Sequence, residues 1–352
     1  MLQVARTSFD EGAEERMRDL VTDDFDWAHF LFLVRFHRVG ELAYLTLKKN
    51  APFGVKGEVE NYLLAVVHRT TARNLALIGE LRRVLNTFEQ HDLPFIVFKG
   101  PVLGQDAYKN TSLRGSVDID LLIRPEDLDR LSALLPDIGY QLAQRMVELT
   151  PAKRRAYIAL SKQISFVNPE RRAGLDVHTD VMPPGYHFDT PFEVLRERGR
   201  TVEVGGGHIP TFSVEDTLIL LCFHGVKNRW DQLKYVCDIA EHLRAHTDLD
   251  WDRVATFAKA IRGERVLHHG LHLSRVLLDA PVPDHVLEQI EKKPYILSLT
   301  ELALSNLQHS YEELLDWRQR ARFHLQTQDT LINRSRYVLY SLLRHLGGVI
   351  DI

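Results

Sequence analysis

Two aspartates, Asp118 and Asp120, stand two residues apart in the run "RGSVDIDLLI" at 114–123, and everything C-terminal to them in that run is apolar. On a strand, alternate side chains share a face, so the two carboxylates project together while Val117, Ile119 and Leu121 point the other way. Like charges that close repel, and one acid is driven to keep its proton unless a cation sits between them. Oxygen ligands of this kind suit Mg²⁺ or Mn²⁺. Two such ions roughly 3.5–4 Å apart can stabilise both the attacking and the leaving oxygen in phosphoryl chemistry. A metal pair calls for a third carboxylate from another strand, and "GLDVHTDV" at 174–181 offers Asp176, His178 and Asp180 on one strand face. Asp176 is the choice for the third ligand. Asp180 competes with it or is a solvated strand end, and His178 is either a ligand or a donor to one.

A phosphate cradle should accompany such a centre. The run "PFIVFKGPVLGQDAY" at 94–108 reads as a strand ending at Phe98, a turn at Lys99 and Gly100, and a helix whose first residue is Pro101. Gly100 lets the backbone approach a ligand, and the helix N-terminus offers amides and a positive dipole end to phosphate. Lys99 adds a point charge. Arg114, four residues before Asp118, is placed to engage phosphate oxygens in bidentate fashion. Further along, "FHGVKNRWDQLKYVCDIAEHL" puts His224 and Lys227 on one helix face, with Asp238 on a following helix that begins near Trp230. Either these three face the cleft, or Trp230, Leu233, Val236 and Ile239 form a packing stripe with His224 and Asp238 as a structural pair.

The elements that must position these groups fall into three stretches. Residues 1–90 read as helical, with "FDWAHFLFLVRFHRV" and the long periodic run "VKGEVENYLLAVVHRTTARNLALIGELRRVLNTFEQH". Residues 91–212 carry short apolar or alternating runs, namely "PFIVF", "VDIDLLI", "YQLAQRMVEL", "KQISFVN", "GLDVHTDV" and "TVEVGGGHIP", interrupted by helical "PEDLDRLSALLPDIG". Residues 213–352 are helical again, and "SVED" at 213–216 supplies a capping serine. The expected fold is therefore α+β, a small mixed sheet flanked by N-terminal and C-terminal helical segments.

Composition narrows the classes. At 352 residues, with 45% hydrophobic and 26% charged residues, the chain is globular and long enough for more than one structural unit. The formal net charge of −4 gives no general attraction to polyphosphate, which counts against long DNA. A local groove of Arg154, Arg155, Lys162, Arg171 and Arg172 would still suit a phosphorylated end. The two cysteines, Cys222 and Cys237, fit neither a zinc pair nor a disulfide framework and are expected to be core thiols. No signal-peptide run opens the chain and no apolar stretch is long enough to span a bilayer, so a cytoplasmic protein without membrane contact is expected. The glycines at 205–207 suggest a hairpin turn. The histidines of "LHHGLHL" at 267–273 read as helix-surface residues.

The ordered set Lys99-Gly100, Arg114, Asp118-x-Asp120 and a later strand acid resembles the DNA polymerase β nucleotidyltransferase superfamily. It is most similar to the bacterial branch called uncharacterised nucleotidyltransferases, in which "KG" is followed by a helix tyrosine, an arginine and "DIDLL". Here these are Lys99-Gly100, Tyr108, Arg114 and 118–122, joined by "LDVH" at 175–178 and the helical run at 221–243. The likeness spans about residues 85–245. It implies transfer of a nucleoside monophosphate from a nucleoside triphosphate, ATP among the candidate donors, to an acceptor hydroxyl with loss of pyrophosphate. The acceptor would be a small molecule, a peptide or protein side chain, or an RNA end. Asp118, Asp120 and Asp176 would hold two Mg²⁺ or Mn²⁺ ions, and Lys99, Gly100, Arg114 and Ser116 would hold the nucleotide. His178, His224, Lys227 and Asp238 would support the site or meet the substrate. Pro101 stands where the superfamily commonly has a serine or a second glycine, which shifts part of the phosphate contact to the loop of Arg114, Gly115 and Ser116. The competing class is a non-catalytic nucleotide-binding or partner-binding module on the same fold, and a phosphohydrolase is a third reading.

Overall fold

A computed structural model of the chain describes residues 1–9, 11–50, 55–182, 190–308 and 317–346. The strands are β1 (Phe95–Phe98), β2 (Asp118–Ile123), β3 (Gln141–Leu142), β4 (Gln163–Asn168), β5 (Ala173–His178), β6 (Arg200–Val204) and β7 (Gly207–Thr211). The helices that bear on the site are α1 (Trp27–His37), α2 (Gly40–Asn50), α3 (Gly57–Gln90), α4 (Gly100–Tyr108), α5 (Val214–Lys227), α6 (Lys234–Ala245) and α7 (Glu264–Leu278). Five strands form one sheet in the order β1-β2-β5-β4-β3, in which β2 and β5 run parallel and the other pairs antiparallel. β6 and β7 make a separate hairpin, turning through Gly205 and Gly206 at φ +59° and +76°, a conformation that glycine adopts without steric cost. The arrangement is α+β, as the alternation of apolar runs implied.

Period-2 patterning decides which face of β2 is buried against what. Ile119, Leu121 and Ile123 pack with Leu77, Leu81, Val84 and Phe88 from the C-terminal half of α3. On the other face Leu122 joins Ile96, Phe98 and Phe212, and the two aspartates precede it. The N-terminal half of α3 serves a different core, where Val59 and Leu63 meet Trp27, Phe30 and Leu47. A third core gathers α5, α6 and α7, and α4 contributes Leu103 and Ala107 to it. The positions 90 and 212 fall between elements, but the cores do not respect them, because α3 and α4 each belong to more than one.

Several local expectations change. "YQLAQRMVEL" yields only the two-residue β3 before a helical turn at Gln144–Val147. Gln, Arg and Met favour helix, and Arg154 fixes the turn by donating to the Met146 carbonyl at 2.8 Å. That use of Arg154, with Arg171 lying 3.6 Å from Glu80, removes two residues from the expected basic groove. Val117 lies before the strand and is 52% exposed. Asp180 lies beyond β5 and accepts from the Met182 amide at 2.9 Å. The histidines of 267–273 are interior groups, not surface ones: His269 accepts the Trp230 indole N–H at 3.2 Å, and His272 lies 2.9 Å from the Thr300 hydroxyl. Cys222 and Cys237 are buried free thiols, and among the described residues no helix is long and apolar enough to cross a membrane.

Two glycines give opposite expectations. A Cβ on Gly225 would lie 2.0 Å from the fully buried ring of Trp230, whereas one on Gly79, inside α3, meets nothing within 4 Å. Gly225→Ala is expected to cost about 1–3 kcal/mol or more through overpacking, and Gly79→Ala to add about 0.5–1 kcal/mol of helix stability. Urea unfolding midpoints of the two variants should therefore move in opposite directions.

Candidate active site

The parallel register sets Asp120 beside Asp176 and Asp118 beside Gly174, so three carboxylates from adjacent strands share one face at the mouth of a cavity of about 230 Å³. Gly174 leaves room for this: a Cβ there would already sit 3.4 Å from that of Asp118. Next to them β1 ends in the Lys99-Gly100 turn, from which α4 starts with Pro101 in its first turn. Lys99 Nζ reaches Asp120 Oδ1 at 3.4 Å, and His178 Nε2 lies 3.1 Å from the same oxygen. With its proton on Nε2, the imidazole donates to that carboxylate. Gln163 of β4 donates to Asp176 Oδ2 at 2.6 Å.

Charge is distributed unevenly among these groups. Burial, with Asp120 and Asp176 alongside, pushes the Asp118 carboxyl up to about 7. Burial also acts to raise Asp120, but Lys99 and the His178 hydrogen bond outweigh it and hold that carboxyl below its usual range. His178 and His224 are both lowered, chiefly by burial, and are neutral. The oxygens of Asp120 and Asp176 and a ring nitrogen of His178 lie within 4.8 Å of one another, close enough to hold a metal ion. Oxygen-rich donors beside an acid that resists ionisation fit a hard divalent cation.

Other expected residues are placed differently. Arg114 lines the cavity with its guanidinium already held by a carboxylate. Its guanidinium is buried and donates to both oxygens of Asp238, at 2.7 and 2.9 Å, because that carboxylate offers the planar match that a bidentate arginine requires. Tyr108 donates to the same carboxylate at 2.8 Å, so Asp238 is 1% exposed and does not face the cleft. His224 does not pair with Asp238; it stands edge-on to Tyr235 and, with Lys227, lines the cavity. The Ser116 hydroxyl is buried at the wall with no hydrogen-bond partner among the described residues. The loop that carries it is held from α3, where Arg73 donates to the Ser116 and Val117 carbonyls at 2.9 and 2.8 Å and Asn74 to the Arg114 carbonyl at 2.8 Å.

Sequence reasoning missed four lining residues, Arg38, Gln163, Lys234 and Tyr235. Lys234 carried a signal: it precedes Asp238 by four positions and so shares its helix face. Burial and the nearby Arg114 lower its ammonium to about 8. Arg38 follows α1 and carried none. Behind the loop a second cavity of about 360 Å³ adjoins the first, and Arg35, Arg69 and Arg73 are among its lining residues.

Fold and site together define a class: an α+β protein whose mixed sheet gathers carboxylates beside a glycine turn at a helix N-terminus. The sequence model for the family described as uncharacterised nucleotidyltransferase matches residues 23–279, and the chain belongs to that family. No curated protein matches the chain. Among solved structures it has a partial likeness to the crystal structure of ANT(2'')-Ia in complex with adenylyl-2''-tobramycin. The two are 16% identical, with a TM-score of 0.36 over 53% of this chain and 97% of that one. The solution structure of the antibiotic-resistance factor ANT(2'')-Ia gives 16% identity and a TM-score of 0.37 over 58% and 98% of the two chains.

The raised Asp118 has a consequence for stability. A carboxyl whose folded value exceeds its ordinary 3.8 favours folding while it is protonated, and that contribution is lost as pH rises towards about 7. The metal-free chain is thus expected to lose stability across that window on this group's account. Mg²⁺ should raise the melting temperature more at pH 8 than at pH 5. Asp118→Asn should stabilise the metal-free protein at pH 8 and abolish the Mg²⁺ response, as followed by thermal melts with and without chelator.

Proposed function

We propose that the chain is a metal-dependent nucleotidyltransferase that moves a nucleoside monophosphate from a nucleoside triphosphate to an acceptor hydroxyl. The observation that carries this is the register pairing of Asp120 with Asp176, with Asp118 alongside, next to the Lys99-Gly100 turn. Asp118, Asp120 and Asp176 would hold Mg²⁺ or Mn²⁺, which when bound supplies charge stabilisation at the reacting phosphate. The lysines at 99, 227 and 234 line the cavity that would take the triphosphate. The Gly100 turn and the α4 N-terminus offer it amides. The orphaned Ser116 hydroxyl supports a polar ligand at that wall. Arg114 acts as a brace between Asp238 and the Gly100 carbonyl, which its Nη1 reaches at 3.4 Å. The acceptor oxygen forms a bond to the α-phosphorus, its proton passes to Asp176, and the bond to the β-phosphate oxygen breaks to release pyrophosphate.

Backbone strain supports a functional turn. Lys99 has φ +60° and ψ −147°, a region occupied almost only by glycine, and holding a side chain there costs on the order of 1–3 kcal/mol. Lys99→Gly is expected to be more stable than Lys99→Ala by about 1 kcal/mol, yet both should lose turnover, because the ammonium beside Asp120 is gone in each. Denaturant midpoints and initial rates measured on both variants check this, and an active Lys99→Gly would refute the lysine's role.

The direct test incubates the purified chain with each α-labelled triphosphate, Mg²⁺ or Mn²⁺ and fractionated small-molecule, peptide and RNA acceptors. Label should pass to an acceptor with release of pyrophosphate. Asp120→Asn should lower the rate at least about 100-fold while leaving the fold intact. Label found only as free monophosphate would instead identify a phosphohydrolase.

A further inference from the structure

Away from the carboxylate centre, the far end of α4 meets the last turn of α6. Asp106 comes from α4, His242 from the last turn of α6, and His246 is the residue that immediately follows that helix. Their nearest ligand atoms all lie within 4.8 Å of one another. His246 Nε2 is 3.2 Å and His242 Nδ1 4.0 Å from the same oxygen, Asp106 Oδ2.

The state of His242 is the telling feature. Its Nε2 lies 2.9 Å from the Val214 carbonyl, which can only accept, so that nitrogen carries the proton and Nδ1 presents a lone pair. Among the described residues Nδ1 has no hydrogen-bond partner, and the residue is 0% exposed. A carboxylate oxygen cannot donate to it. A buried acceptor aimed at another acceptor is costly unless something positive comes between them. An imidazole whose second nitrogen is fixed by a backbone carbonyl is also how proteins orient a histidine ligand.

We infer that Asp106, His242 and His246 form a second metal site, of the kind taken by Zn²⁺. Two imidazoles and a carboxylate are a zinc donor set, and tetrahedral bonds of about 2.0–2.1 Å place ligand atoms about 3.3 Å apart. The two nitrogen–oxygen separations, 3.2 and 4.0 Å, reach that value with shifts of well under 1 Å. The guanidinium of Arg200, at the start of β6, now contacts Asp106 Oδ2 and is the cation that an ion would displace. The site joins α4, α6 and, through Val214, the first turn of α5. It is independent of the proposed transferase activity and has a different chemistry: nitrogen-rich where the other is oxygen-rich.

The test uses the full chain, stripped by chelator and held in excess Mg²⁺ so that the oxygen centre is occupied, then titrated with Co²⁺ and read by visible absorption. One equivalent should produce a tetrahedral band that Zn²⁺ bleaches, and Zn²⁺ should raise the melting temperature. His246→Gln, just past the end of α6, should lower affinity by more than the roughly 10–100-fold typical of losing a supporting partner. Asp120→Asn should leave the band unchanged. Arg200→Gln should tighten binding by removing the competing cation, whereas a purely structural Asp106–Arg200–His246 network predicts lower stability and no gain. No band at one equivalent, a band unaffected by His246→Gln, or one lost in Asp120→Asn would overturn the site.

Discussion

Everything around the cavity answers one electrostatic constraint: carboxylates of two adjacent parallel strands held in register on one face. Asp120 and Asp176 are direct neighbours, and Asp118 stands one pleat away. Such a cluster opposes folding unless positive groups or protons offset it. The protein does both, keeping a proton on Asp118 near neutrality and setting the Lys99 ammonium against Asp120, with a hydrogen bond from neutral His178 to the same carboxylate. The opposite face of the same strand is fully apolar and packed on α3, which stops the strand from relieving the repulsion by twisting away.

That constraint explains the helices. The loop entering β2 must bring Ser116 and Asp118 to the cavity without collapsing onto it. It is tied on one side by Arg73 and Asn74 of α3 and on the other by the Arg114 pair with Asp238 of α6. A buried arginine-carboxylate pair contributes little net stability against an apolar equivalent, but removing one partner is severe, because the other charge is left unpaired. Its value here is positional. It fixes the loop relative to α6, whose first residue, Lys234, enters the cavity.

The acidic face was legible in the sequence because strand periodicity is local: Asp118, Asp120 and Asp176 follow from alternation, and the turn at Lys99-Gly100 from a strand, a glycine and a proline in succession. What was not legible depends on contacts between distant segments. Nothing local reveals that Asp238, 124 residues on, offers Arg114 a matching carboxylate in the interior. His269 looked like a surface residue because its partner, Trp230, comes from the connection between α5 and α6. Arg38 and Gln163 enter through tertiary packing alone. The division into three stretches followed composition, and composition cannot show that α3, 34 residues long, feeds two cores at once.

The helix α4 carries the sharpest structural consequence. Nine residues rise about 13 Å. One end is the strained Lys99-Gly100 turn beside Asp120, and the other carries Asp106 against His242 and His246. A helix this short is stiff, and its middle is packed by Leu103 and Ala107 into the core shared with α5 and α6. Strain at Lys99 persists only if the rest of α4 is over-determined, and the contacts of Asp106 with Arg200 and His246 at its far end are part of what over-determines it.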